Sequence, residues 1–98
     1  MAQIRWTHQA AIDLEAIVKF IANDSENYAR LMAIDVIKAV ERLEAFPNIG
    51  RIVPEANNPE LREVLAGNYR IIYRNKNDRV EILTIFHCAR IMPLERLH

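Results

Sequence analysis

Ninety-eight residues, 51% of them apolar, with 13 basic and 13 acidic side chains and a single cysteine, describe one small globular domain spanning 1–98, near the lower limit for holding a core unaided. That inventory excludes an internal disulfide and a cysteine-rich zinc site. It also excludes a helical membrane span, since no apolar run approaches about 18 residues. A net charge of zero argues against strong binding to free nucleic acid. The opening "MAQIRWTHQAAIDLE" lacks the basic-then-apolar layout of a secretory signal, so a reducing, cytoplasmic setting is expected.

"QIRW" (3–6) reads as a short extended start, added to a sheet as an edge strand. Thr7 is placed to cap a helix over "HQAAIDLEAIVKFIAN", in which Ala10, Leu14, Ile17 and Ile21 recur at helical spacing while Asp13, Glu15 and Lys19 fall mostly off the stripe. Asn23-Asp24-Ser25 breaks that pattern and offers the next cap. A second helix runs to about Ala45 with Ala29, Met32, Val36, Val40 and Leu43 on one face, and Pro47 and Gly50 end it. So short a connection makes the pair an antiparallel hairpin with a shared apolar seam. Both helices carry apolar residues beyond that seam, Ala11 and Val18 on the first, Leu31, Ile34 and Ile37 on the second. The surplus reads either as a larger core or as a groove for a partner segment.

"FPNIGRIVPEANNPE" (46–60) holds three of the four prolines and reads as a loop that packs down on the core. Three strand-like runs follow, "LREVLA" (61–66), "NYRIIYR" (68–74) and "RVEILTIFHC" (79–88), joined by turn-forming residues into an antiparallel meander. In the last run both alternating sets are largely apolar, Ile82, Thr84 and Phe86 against Leu83 and Ile85, which predicts a central strand covered on both faces. Cys88, at its end, is expected in the core. The fold class is α+β, a helical hairpin packed on a three- to four-stranded antiparallel sheet.

Chemistry-bearing motifs are sparse. The only glycines are Gly50 and Gly67, so there is no Gly-rich phosphate loop. His8, His87 and His98 are scattered, so no metal and no cofactor are expected. Arginine supplies ten of the 13 basic residues. Along "YRIIYR", Arg70 and Arg74 flank Ile72 on one strand face, with Arg62 on the neighbouring strand. Two readings stand: a solvated face with cross-strand pairs to Glu63 or Glu81, or guanidinium forks aimed at an anionic partner. His87 and Arg90, in "HCAR", form a second candidate pair, structural or acid–base.

The ordered set Trp6 with "A..DL..I..FI" (Ala10 to Ile21), "L..FPNIGRIVPE" (43–55), "LREV" (61–64), "GNYRIIYR" (67–74) and "VEILTIFHCAR" (80–90) resembles the RelE/ParE superfamily of toxins from bacterial type II toxin–antitoxin pairs. The resemblance implies a helical hairpin on a small sheet, a cognate antitoxin, and one of two targets, DNA gyrase for ParE-like members or mRNA on the ribosome for RelE-like endonucleases; a third alternative is a homologue that has lost toxicity and only binds its antitoxin. Arg70 matches the arginine with which the nucleases stabilise the phosphate. Leu61 and Glu63 stand where the nucleases carry lysines, Cys88 falls near their catalytic arginine, and Leu94 near their C-terminal tyrosine. "HCAR" with a short tail is closer to the ParE pattern. The resemblance therefore implies a gyrase-poisoning toxin with Arg62, Arg70 and Arg74 toward the target and Leu31, Ile34 and Ile37 toward the antitoxin. Were it a nuclease, Arg70, His87 and Arg90 would be its catalytic set.

Overall fold

Both helices begin at side-chain caps. The computed structural model describes residues 1–97 and leaves His98 outside. Thr7 is extended, its hydroxyl oxygen accepts from the Ala10 N–H at 3.2 Å, and α1 runs His8–Ala22. The same hydroxyl donates to the Ile82 carbonyl at 2.6 Å, so the cap also fastens the helix to the sheet. Ser25 accepts from the Tyr28 N–H at 3.0 Å and starts α2, Glu26–Glu41, which tightens into a 3-10 turn over Arg42–Glu44. Among the described residues no helix is long and apolar enough to cross a membrane.

The sheet has five strands: β1 (Gln3–Trp6), β2 (Arg51–Ile52), β3 (Leu61–Ala66), β4 (Tyr69–Lys76) and β5 (Arg79–His87), in spatial order β1-β5-β4-β3-β2. It is mixed rather than wholly antiparallel. β1 lies parallel to β5, with Gln3 opposite Arg79 and Trp6 opposite Ile82. A parallel neighbour needs a long crossover, and here the helical hairpin supplies about half of it. β2 adds the fifth strand from within the 46–60 loop, and its two residues are too few to show a period in sequence. Between β3 and β4, Gly67 turns the chain at φ +56°, and a Cβ there would meet Met32 Cε at 2.7 Å.

β5 is covered on both faces, but not by simple alternation. Between Ile72 and Tyr73 its register steps from Thr84 to Ile82, leaving Leu83 as a bulge. Ile82 and Ile85 consequently join the helix-side core with Ala10, Met32, Val36 and Tyr73, whereas Leu83 and Phe86 join a second core with Val53, Leu61 and Ile72 on the opposite face. Met92 and Leu97, from the tail after β5, close that second core. The 46–60 loop packs down through Val53 but leaves Ile49 and Ile52 exposed. Cys88 corrects the expectation of a core residue. β5 ends at His87, so Cys88 falls in the following turn, where it is exposed and its N–H donates to the Asn68 carbonyl at 2.8 Å.

Candidate functional site

Arg70 projects from β4 into the sheet face opposite the helices, beside Phe86, whose ring centre lies 5.1 Å from the guanidinium carbon. It is buried, and every arm of the guanidinium is occupied. Nε donates to Glu63 Oε1 at 2.9 Å and Nη2 pairs with the same oxygen. Nη1 and Nη2 donate to the two carboxylate oxygens of Glu55 at 2.8 and 2.9 Å, a two-pronged fork. Glu63, also buried, gives its other oxygen to Arg51 Nε at 2.7 Å. The result is an alternating chain Arg51–Glu63–Arg70–Glu55, as buried charges require. Hydrogen bonding from Arg70 holds the Glu55 carboxyl down at about 2, and Glu55 and Glu63 together push Arg70 above its ordinary value despite desolvation.

This corrects the expectation of an open arginine face. Arg70 is paired across the strands to Glu63, but on a buried face rather than a solvated one, and its charge is neutralised. Arg62 is not on its face at all. The register sets Arg62 opposite Tyr73, which packs into the helix-side core, and its Nη1 donates to the carbonyls of Gly50 at 2.8 Å and Asn48 at 3.3 Å. Arg74 does share the face of Arg70, half-buried and 4.0 Å from Glu81.

His87 and Arg90 are brought near each other but away from Arg70. His87 sits opposite Tyr69, their rings edge to face at 5.3 Å, on the helix side of the sheet, and its Nδ1 accepts from the Ala89 N–H at 3.0 Å. Both residues line an open groove of about 670 Å³ with Ile12, Phe20 and Arg96. A set of Arg70, His87 and Arg90 acting on one phosphate is thus not assembled. Leu31, Ile34 and Ile37 are 49%, 42% and 41% exposed, so they lie outside the core, and with Phe20 and Tyr28 they leave the outer surface of the hairpin apolar.

Two residues with central roles carry little sequence signal. Asp13, read as off the buried stripe, is buried. It accepts from the Thr84 hydroxyl, the Ile85 N–H at 3.0 Å and Gln9 Nε2 at 2.8 Å, and pairs with Arg96 at 3.1 Å, joining α1, β5 and the tail. Apart from its place in the "A..DL" motif, the hint is a carboxylate one position before an apolar helical residue, facing a threonine on a buried strand. Glu55 lies in a loop, where no periodicity marks it and only its place at the end of "FPNIGRIVPE" does.

The profile of the ParE toxin of type II toxin–antitoxin systems, parDE, matches residues 4–92, and the chain belongs to that family. Toxin RelE2 of Caulobacter vibrioides is 36% identical over 92 residues, 93% of this chain and 100% of that protein. Among solved structures, the chromosomal ParDE toxin–antitoxin system from P. aeruginosa superposes with a TM-score of 0.72 at 26% identity, covering 89% of this chain and 96% of that one. The toxin–antitoxin complex RelBE2 from Mycobacterium tuberculosis superposes with a TM-score of 0.64 over 88% and 96%, at 21% identity a likeness of fold alone.

Proposed function

We propose that this chain is the toxin of a type II pair that arrests growth by binding and poisoning DNA gyrase, and that a cognate antitoxin neutralises it. The observation that carries the reading is the state of Arg70. Cleaving a phosphodiester needs a base, an acid and cations free to meet the developing charge. The one arginine that matches the nuclease pattern has its charge already met by Glu55 and Glu63. The surrounding positions, Leu61, Glu63, Cys88 and Leu94, offer no replacement. Arg62 and Arg74 keep exposed surface for contact with the target.

For the antitoxin, the exposed Leu31, Ile34 and Ile37 suit the apolar face of a segment that folds as it binds. The deciding experiment compares two assays of the purified chain. In a gyrase reaction on plasmid DNA, cleaved DNA should accumulate and the antitoxin should prevent it. In coupled translation, ribosome-bound mRNA should stay intact. Defined cuts within codons would overturn the gyrase reading in favour of an mRNA endonuclease.

A further inference from the structure

At the end of the sheet far from Arg70, three strands set their side chains in two transverse rows. The register aligns Arg5 of β1, Glu81 of β5 and Arg74 of β4 in one row, and Gln3, Arg79 and Lys76 in the next. Members of a row stand about 4.8 Å apart across the strands, and the rows are two residues, or roughly 6.7 Å, apart along them. Glu81 is the only carboxylate in either row, shared by Arg5 at 3.3 Å and Arg74 at 4.0 Å. Arg74 is loosely held, since its buried Nε has no hydrogen-bond partner. Lys76 and Arg79 face each other directly and make no ion pair among the described residues. Counting Asp78 in the adjoining turn, four cations still meet two carboxylates.

Like charges directly opposite on neighbouring strands destabilise a sheet. Folding gains nothing from Lys76 opposite Arg79, at a hairpin end where almost any polar pair would serve. We infer that this ladder is an anion site that takes the sugar–phosphate backbone of a nucleic-acid strand. The rows border an open hollow of about 680 Å³. An acidic peptide is the lesser fit: docked peptide segments rely on apolar anchors, and among the described residues no exposed large hydrophobic side chain lines this hollow. The inference rests on sheet geometry and stands apart from the choice of gyrase or mRNA as target.

With about three or four phosphates neutralised, the logarithm of affinity should fall with the logarithm of salt at a slope of about −2 to −4. Binding seen at about 20 mM salt should then weaken roughly a hundredfold or more by 150 mM, which accords with a neutral chain that does not hold free nucleic acid under physiological conditions. Fluorescence anisotropy of the purified chain with labelled 12-nucleotide single strands and 12-base-pair duplexes tests this, the two probes separating strand from duplex as the source of phosphate. Lys76→Glu and Arg79→Glu should each weaken low-salt binding about tenfold or more and make the slope shallower by about one phosphate. Lys38→Glu, an exposed site on α2 with the same charge change, should have little effect. The thermal midpoints of Lys76→Glu and Arg79→Glu should match or exceed that of the parent chain, which separates lost binding from lost folding. Equal weakening by Lys38→Glu, a slope shallower than about −1, or tighter binding of a poly-glutamate peptide than of either oligonucleotide would overturn the assignment.

Discussion

Replacing Arg70 with alanine should destabilise the whole fold rather than silence a surface contact. The substitution removes three charge-assisted hydrogen bonds and a further close ion pair, together with the guanidinium plane over Phe86. It strands Glu63, whose side chain is 1% exposed, with only Arg51, which is 67% exposed, as a partner. Breaking a buried pair by deleting one member costs about 3–5 kcal/mol, because the remaining charge stays desolvated. A chain of this size has about 5–15 kcal/mol of stability in total. Urea denaturation followed by circular dichroism should therefore show a midpoint lowered by a large fraction for Arg70→Ala. The double variant Arg70→Met with Glu63→Leu should recover most of the loss, since no buried charge is left without a partner. Loss of toxicity in Arg70→Ala is accordingly no evidence of target contact. An Arg70→Ala chain within about 1 kcal/mol of the parent would refute the reasoning.

The Glu55 carboxyl sits at about 2 in the folded chain against an ordinary 4.5. A depressed folded value means that its contribution is complete above about pH 4.5 and is lost as pH falls toward 2. Since Glu55 is partly exposed, screening limits that loss to about 1 kcal/mol, and urea midpoints for Glu55→Gln should lack this part of the acid dependence. Tyr73→Phe removes a buried hydroxyl that accepts from the Gly50 N–H at 3.0 Å and donates to the Pro47 carbonyl at 2.8 Å; a cost of about 1–2 kcal/mol in thermal or urea unfolding is expected. Asp13→Ala leaves the Ile85 N–H and the Thr84 hydroxyl without their acceptor and should cost about 2–3 kcal/mol. Amide exchange should also quicken over 92–97 in that variant, because Arg96 loses its anchor.

Local signals in the sequence predict the helices and the meander well, because caps, turns and apolar spacing act over a few residues. Thr7 and Ser25 mark the helix starts, and Gly67 and the Asn77-Asp78 turn, both of its residues at positive φ, mark the hairpins. Long-range pairings left weaker traces. "QIRW" reads as an edge strand, yet nothing in it says that its neighbour runs parallel. The Leu83 bulge is hidden because the residues on either side of it are all compatible with burial. The arginines show the same limit. Alternation correctly separates Arg70 and Arg74 from Tyr73, but the face of Arg62 depends on which residue it meets across β3 and β4. Burial of Arg70 depends on Glu55, a loop residue whose position no periodicity reveals.

The parallel seam between β1 and β5 also sets a clock on synthesis. Gln3 leaves the ribosome 76 residues ahead of its partner Arg79. Non-local pairings of this kind form late, after the entropy of closing a long loop has been overcome. Until then the helical hairpin has no sheet to cover its seam, and the tail that closes the second core does not exist. A ribosome that stalls, or a message broken, before the codon for Arg79 therefore yields a fragment without the fold. The fold comes only from a message translated through β5 and the tail behind it.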